Sequence, residues 1–306
     1  MHYFLQRVAY GILTLFVVSL LVFGLARMAG DPAALLFPIS SGATLEQQQA
    51  FRHEYGLDQP LVVQYWLFIS HAVRGDFGRS LQYNSPAMGE VLGRAPETLL
   101  LAVTASLAAI AIGVPLGILA AIRPNSPFDS AVKALALFGN AAPVYWIGLT
   151  FIWLFAATWR ILPSSGSGTP AHLILPVLVQ SWASLAVFLR LTRSSMLDAF
   201  GGDFVRLARA KGVPEWKVIL IHALKNASLP IVTISGLDFA ARLGGVAITE
   251  TIFAWPGIGR LAVTATANRD YPVVQATVLF AAAMFIGINL AVDLLYTVLD
   301  PRVRLH

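Results

Sequence analysis

An all-α, polytopic bundle of six membrane-spanning helices is the fold this sequence predicts, and three observations carry the prediction. Of 306 residues, 57% are apolar and only 12% charged, with a mean hydropathy of +0.70; in a soluble domain roughly a quarter of residues carry charge. The apolar residues gather into six long runs, and a helix needs about 20 of them to cross the hydrocarbon core. The net charge of +5 falls mainly in the segments between those runs, the pattern of loops retained on the cytoplasmic side and not that of a nucleic-acid-binding surface.

The first run, 8–26, follows Met1, His2 and Arg7. That is the layout of a signal sequence, but the run is longer than a cleavable core and Arg27 follows it, so it is read as an uncleaved first helix, residues 1–26. Residues 27–97 are expected to form a small extracytoplasmic subdomain. Within it, Thr44 and the glutamine Gln47 three residues later start a helix, and Phe51, Tyr55, Leu57, Tyr65, Trp66 and Phe68 supply apolar anchors.

Residues 98–306 hold the other five runs, at about 98–122, 131–157, 173–189, 228–249 and 273–299. Pro115, Pro143 and Pro176 fall inside them and predict kinks, which bilayer helices tolerate when neighbours satisfy the freed carbonyls. The loop after the fourth run carries Arg190, Arg193, Arg206, Arg209, Lys211, Lys217 and Lys225, and the C-terminus adds Arg302 and Arg304. Positive loops stay inside, so both termini are expected in the cytoplasm.

That same loop contains a helical pair, 203–225. Asp203 is placed to cap the first helix, Lys211 suits its last turn, and Gly212 supplies a left-handed residue to end it. Pro214 and Glu215 then open the second. Phe204, Leu207, Ala208 and Lys211 recur at i, i+3, i+4 and i+7, and Ala210 and Gly212 are small enough for close backbone approach. Trp216, Ile219, Leu220 and Ala223 repeat the spacing on the second helix. A basic amphipathic pair between two spans fits either the lipid headgroups or another protein.

At this point the loop resembles the cytoplasmic motif of ABC importer permeases, on Asp203, Ala208, Ala210, Gly212, Ile219 and 222–226, with Asp203 where that family has glutamate and Phe204 where tyrosine is common. Tyr55-Gly-Leu-Asp-Gln-Pro60, Gly75-Asp-Phe-Gly-Arg-Ser80 and Glu250-Thr-Ile-Phe-Ala-Trp-Pro-Gly-Ile-Gly-Arg260 extend the resemblance over nearly the whole chain, to the dipeptide, oligopeptide and nickel group. They resemble in particular the first of the two permease subunits such importers pair as a heterodimer. The resemblance implies a bacterial cytoplasmic-membrane protein that imports dipeptides or oligopeptides with a second permease, two ATPase domains and an extracytoplasmic solute-binding protein. It also implies that Asp203, Phe204, Leu207, Ala208, Ala210, Lys211 and Gly212 engage a groove of the ATPase, and that 253–261 form a short re-entrant helix at the outer mouth.

No Gly-Lys dipeptide occurs in the sequence, so there is no P-loop; ATP and Mg are expected in the partner ATPase and no cofactor in this chain. There is no cysteine and no histidine pair at ligand spacing, so no metal site is expected. Asp238 and Arg242, i and i+4 in the fifth run, form the candidate intramembrane pair, opposite the small residues Gly236, Ala240 and Gly244. Such pairs are functional by default, so they are read as lining the translocation path, with bundle-holding as the competing role. An ion-coupled secondary carrier and an intramembrane enzyme are the alternatives; for the latter, Asp238 and Asp293 lie on different runs and make a poor catalytic pair.

Overall fold

The computed structural model describes residues 2–28, 44–54 and 56–299. Tyr55, Arg302 and Arg304 lie outside the described residues, as does the side chain of Phe51. Every regular element among the described residues is helical. In order they are α1 (His2–Met28), α2 (Leu45–Glu54), α3 (Leu61–Ala72), α4 (Ala87–Ile122), α5 (Pro127–Ala141), α6 (Val144–Phe151), α7 (Pro170–Gly201), α8 (Asp203–Ala210), α9 (Glu215–Lys217), α10 (Leu224–Gly245), α11 (Ala247–Ile252), α12 (Ile258–Ala267) and α13 (Tyr271–Leu299), with π-helical turns at Ile152–Thr158 after α6 and Val218–Ala223 after α9.

Among the described residues five helices are long and apolar enough to cross a membrane, and six if a bent pair counts as one span. The bent pair is the third apolar run. A single kinked helix through Pro143 is expected there; instead α5 stops at Ala141 and α6 starts after Pro143, with a 109° bend between 127–139 and 144–158. Proline lacks an N–H and drives the residue before it out of the helical region, and Ala142 is extended, at φ −77° and ψ 128°. Pro176, by contrast, stays inside α7, and Pro230 inside α10.

The chain divides into two compact units. In the first, Met1–Glu97 with Pro256–Leu290, the core joins the start of α4 to α12 and α13 through Ala87, Val91, Ala95, Ile258, Leu261, Ala265, Val273 and Ala276. A backbone bond from Gln48 N–H to the Thr44 carbonyl opens α2 where the capping pattern predicts. The Gly75–Ser80 motif is tied to the turn before α13: the Ser80 hydroxyl donates to the fully buried Asp270 at 2.5 Å, and Gln82 N–H reaches the same oxygen at 3.2 Å.

In the second unit, Thr98–Trp255 with Ala291–His306, α7 is the central helix, packed against α5 and α10. Its approach to α4 is set by two glycines. A Cβ on Gly113 would lie 2.9 Å from the Leu185 carbonyl oxygen, and one on Gly117 would lie 2.7 Å from that of Leu189. Small residues four apart let helices meet backbone to backbone, the main source of packing energy where lipid is as apolar as the side chains.

Candidate functional site

The segment 203–225 is built as an elbow hung from the end of α7. Val205 and Ala208 of α8 are buried, in a cluster with Met196 and Ala199 of α7, Ala121 of α4, and Val218, Ala223 and Ala227 beyond the elbow. Ala208 therefore belongs to the inward face with Val205, and not with Phe204, Leu207 and Lys211 as the i, i+4 spacing suggests. The inward face is the Val205 and Ala208 side, i and i+3, while the equally small Ala210 is exposed.

Asp203 is the first helical residue and not the cap. Gly202 occupies the cap position, at φ −73° and ψ 147°, and Asp203 instead faces Arg206 at 3.5 Å. An acid in the first turn still complements the helix dipole. Gly212 does end the elbow's first arm in the left-handed region, at φ +73°. Its N–H bonds to the Arg209 carbonyl at 2.9 Å, and Val213 N–H reaches the Ala208 carbonyl at 3.2 Å, which satisfies the free carbonyls of the last turn. A Cβ at Gly212 would meet nothing within 4 Å; inside this chain its glycine is required by backbone conformation and not by crowding.

The second arm is not a separate helix. Glu215 opens α9 behind Pro214, the backbone widens into π-helical winding over Val218–Ala223, and α10 continues from Leu224. The run Glu215–Arg242 is one apolar helix of 28 residues, so the second arm is the end of the fifth span itself. Arg209 clamps the two arms, donating to Glu215 at 2.6 and 3.2 Å, and its guanidinium lies 5.9 Å from the Phe200 ring. The Glu215 carboxylate beside it raises the Arg209 pKa further above its ordinary value.

Beside its charged residues, the elbow leaves four large apolar side chains uncovered. Phe204, Leu207, Trp216 and Leu220 are 41 to 58% exposed on either side of the Gly212 turn, and Ala210 and Lys211 are exposed beside them. Single exposed apolar residues are ordinary; here four lie on one short elbow that also carries Arg206, Lys211 and Lys217.

The intramembrane pair forms as its spacing requires. Arg242 Nε donates to Asp238 Oδ2 at 2.8 Å, and Nη1 donates to the Gln180 carbonyl of α7 at 2.5 Å. The Ser184 hydroxyl donates to the other Asp238 oxygen, while the Gln180 side chain accepts from Thr249 of α11 at 2.6 Å. Arg242 is 5% exposed. The network thus joins α7, α10 and α11, and Gln180, Ser184 and Thr249 are residues the sequence reading missed. No periodicity marks them, because their partners lie 54 to 69 positions away.

Two further buried acids carry polar links. Asp129, fully buried in the first turn of α5, accepts from Arg193 of α7 at 2.5 and 2.9 Å and from Lys133 at 2.8 Å. Glu250, also fully buried, accepts from Thr98 at 2.7 Å, and the turn after it seats Phe253 and Trp255 in the apolar clusters of the second unit. The helix that follows, α12, has ten residues and is too short to span a bilayer. Among the described residues no cluster of three or more His, Cys, Asp or Glu is arranged to hold a metal.

Comparison with known proteins agrees along the whole length. A family described as binding-protein-dependent transport system inner membrane component matches residues 113–305, and its N-terminal companion matches residues 1–102. The chain is 39% identical over 336 residues to the dipeptide transport system permease protein DppB of Escherichia coli (strain K12). It is 41% identical over 307 residues to the glutathione transport system permease protein GsiC of the same strain. Each match covers 99% of both chains.

Proposed function

The chain belongs to the binding-protein-dependent transport system inner membrane components, a multi-pass family of transport permeases and not of enzymes, and from that premise we propose that it is one of two permease subunits of an ATP-driven peptide importer. Dipeptides, or short peptides of the size of glutathione, are the cargo in this reading, on the strength of the two relatives' names. Its partners are a second permease in a heterodimer, two ATPase domains that bind ATP and Mg, and a solute-binding protein on the outer side.

One observation carries the coupling role: the exposed apolar surface of Phe204, Leu207, Trp216 and Leu220 sits on an elbow whose second arm is continuous with a membrane span. A helix end displaced by ATP-driven closure in a partner would move α10 directly, with no intervening joint. That suits alternating access, in which partner binding shifts the population between two arrangements of the spans. In the proposed topology the elbow and both termini are cytoplasmic, and 27–97 form an extracytoplasmic subdomain.

Asp238 and Arg242 are proposed to stand along the translocation path. The burial of Arg242, with Asp238 partly covered beside it, supports an arrangement in which the path is closed around the pair and the Gln180 and Ser184 contacts break when it opens.

The test is affinity capture of the tagged chain from detergent-solubilised membranes, with the copurifying proteins identified by mass spectrometry. The importer reading expects a P-loop ATPase and a second six-span permease with the wild-type chain, and loss of the ATPase alone with Leu207→Asp and Trp216→Asp. Recovery of the wild-type chain by itself from a preparation that still transports would refute it in favour of an ion-coupled carrier.

A further inference from the structure

The 12-residue helix α3 is too short to cross a bilayer, at about 18 Å against about 30 Å of hydrocarbon. One side of it is nevertheless apolar and uncovered. Val62, Trp66, Ile69 and Val73 recur at i, i+4, i+7 and i+11, which is a single stripe on a 3.6-residue helix. Val62, Trp66 and Val73 are 71 to 81% exposed, and Leu61 at the helix start is 62% exposed.

The adjoining side of α3 shows at what depth that stripe lies. Tyr65 and Phe68 pack on α1: the Tyr65 and Ser19 hydroxyls are 2.8 Å apart, and the Phe23 ring centroid lies 5.5 Å from Tyr65 and 5.7 Å from Phe68. Phe16 also meets Tyr65, at 6.2 Å. Phe16, Ser19 and Phe23 all fall within the apolar span 5–28 of α1, and Leu20, Leu21 and Leu25 beside them are themselves exposed to whatever surrounds that span. A helix docked on the side of a membrane span is surrounded by the same medium as the span.

The polar groups of α3 fit that placement. Gln64, in its first turns, is buried and donates inward to the Leu57 and Gln59 carbonyls at 3.0 and 2.7 Å. The Ser70 hydroxyl and His71 Nδ1 both turn back to the Leu67 carbonyl at 2.8 Å. Ser70 and His71 thus bond back to their own helix and the Gln64 amide N–H groups find carbonyls, which suits a helix out of reach of bulk water, while Gln64 Oε1 is buried without a partner.

We propose that α3 is immersed in the membrane beside the C-terminal half of α1, with the Val62, Trp66 and Val73 stripe against phospholipid acyl chains. The segment between the first two long spans is then anchored in the lipid by its own helix and is not a wholly water-exposed subdomain. Lipid is favoured over a protein partner because the stripe continues the exposed apolar surface of α1.

The chain has no cysteine, so Val62→Cys, Trp66→Cys and Val73→Cys can each carry a single nitroxide, with Glu46→Cys as the water-exposed control. In the assembled transporter in phospholipid nanodiscs, all three α3 positions are expected to collide readily with dissolved oxygen and poorly with a water-soluble nickel chelate, the reverse of the control. Chelate-accessible α3 positions would mean that the stripe lies in water. Poor access to both reagents would mean that a protein covers it. Either result overturns the proposal, and each position reports separately should one variant fail to assemble.

Discussion

Arg242 and Gln180 are joined across two helices: the guanidinium of α10 donates to the main-chain carbonyl of α7 at 2.5 Å while its Nε holds Asp238 at 2.8 Å. Within a membrane a charge is costly unless paired, and removal of one partner strands the other. Arg242→Met is therefore expected to destabilise the chain by about 3 to 5 kcal/mol, read as a lower thermal midpoint in detergent. Asp238→Asn with Arg242→Met should recover much of that loss. A double variant no better than the sum of the singles would show that the pair is not coupled.

Gly117 meets α7 more closely than any side chain could. Gly117→Leu should cost at least the 1 to 3 kcal/mol typical of overpacking, because the atom in the way is the Leu189 backbone oxygen and cannot rotate aside. Gly24 of α1 has no neighbour within 4 Å of an added Cβ, so Gly24→Ala should leave the midpoint unchanged or slightly raised. Equal effects of the two substitutions would refute the close α4–α7 contact.

At the elbow, stability and coupling should separate. Gly212→Asn keeps access to positive φ and should retain the ATPase, Gly212→Ala should cost about 1 to 2 kcal/mol, and Gly212→Pro, whose φ is fixed near −65°, should abolish ATPase capture while membrane insertion persists. An undiminished complex with Gly212→Pro would count against the docking role. Glu215→Ala, which removes only an exposed pair, should leave the thermal midpoint nearly unchanged.

Asp270→Ala should free the segment around Ser80. It removes the acceptor shared by the Ser80 hydroxyl and Gln82 N–H, at a cost of about 1 to 3 kcal/mol for the groups left unpaired. Limited proteolysis should then cut near 79–85 faster than in the wild type, and Ser80→Ala should show a smaller change in the same direction.

The elbow and the pair illustrate how far residue order alone reaches. Gly212, Pro214 and the i, i+4 spacing of Asp238 and Arg242 act within a few residues, so they could be read directly. Spacing groups Ala208 with Phe204, Leu207 and Lys211, because it reports which residues can share a side and not which of them the neighbours bury. Pro143 announced a disturbance, but a kink and a 109° turn begin from the same missing N–H, and the packing of α6 against α7 and α11 selects between them.

By itself the sequence determined the solvent and the scaffold. Apolar runs of bilayer length have no stable alternative to helices in lipid, because each must satisfy its own backbone hydrogen bonds. The glycine and proline between α8 and α9 likewise left one way to make the elbow. Only the tertiary structure decided that Gly113 and Gly117 meet α7, that Gln180 and Ser184 complete the Arg242 network, and that α3 lies against α1. Those contacts depend on chain positions far apart in order, brought together by the packing of helices that each form independently.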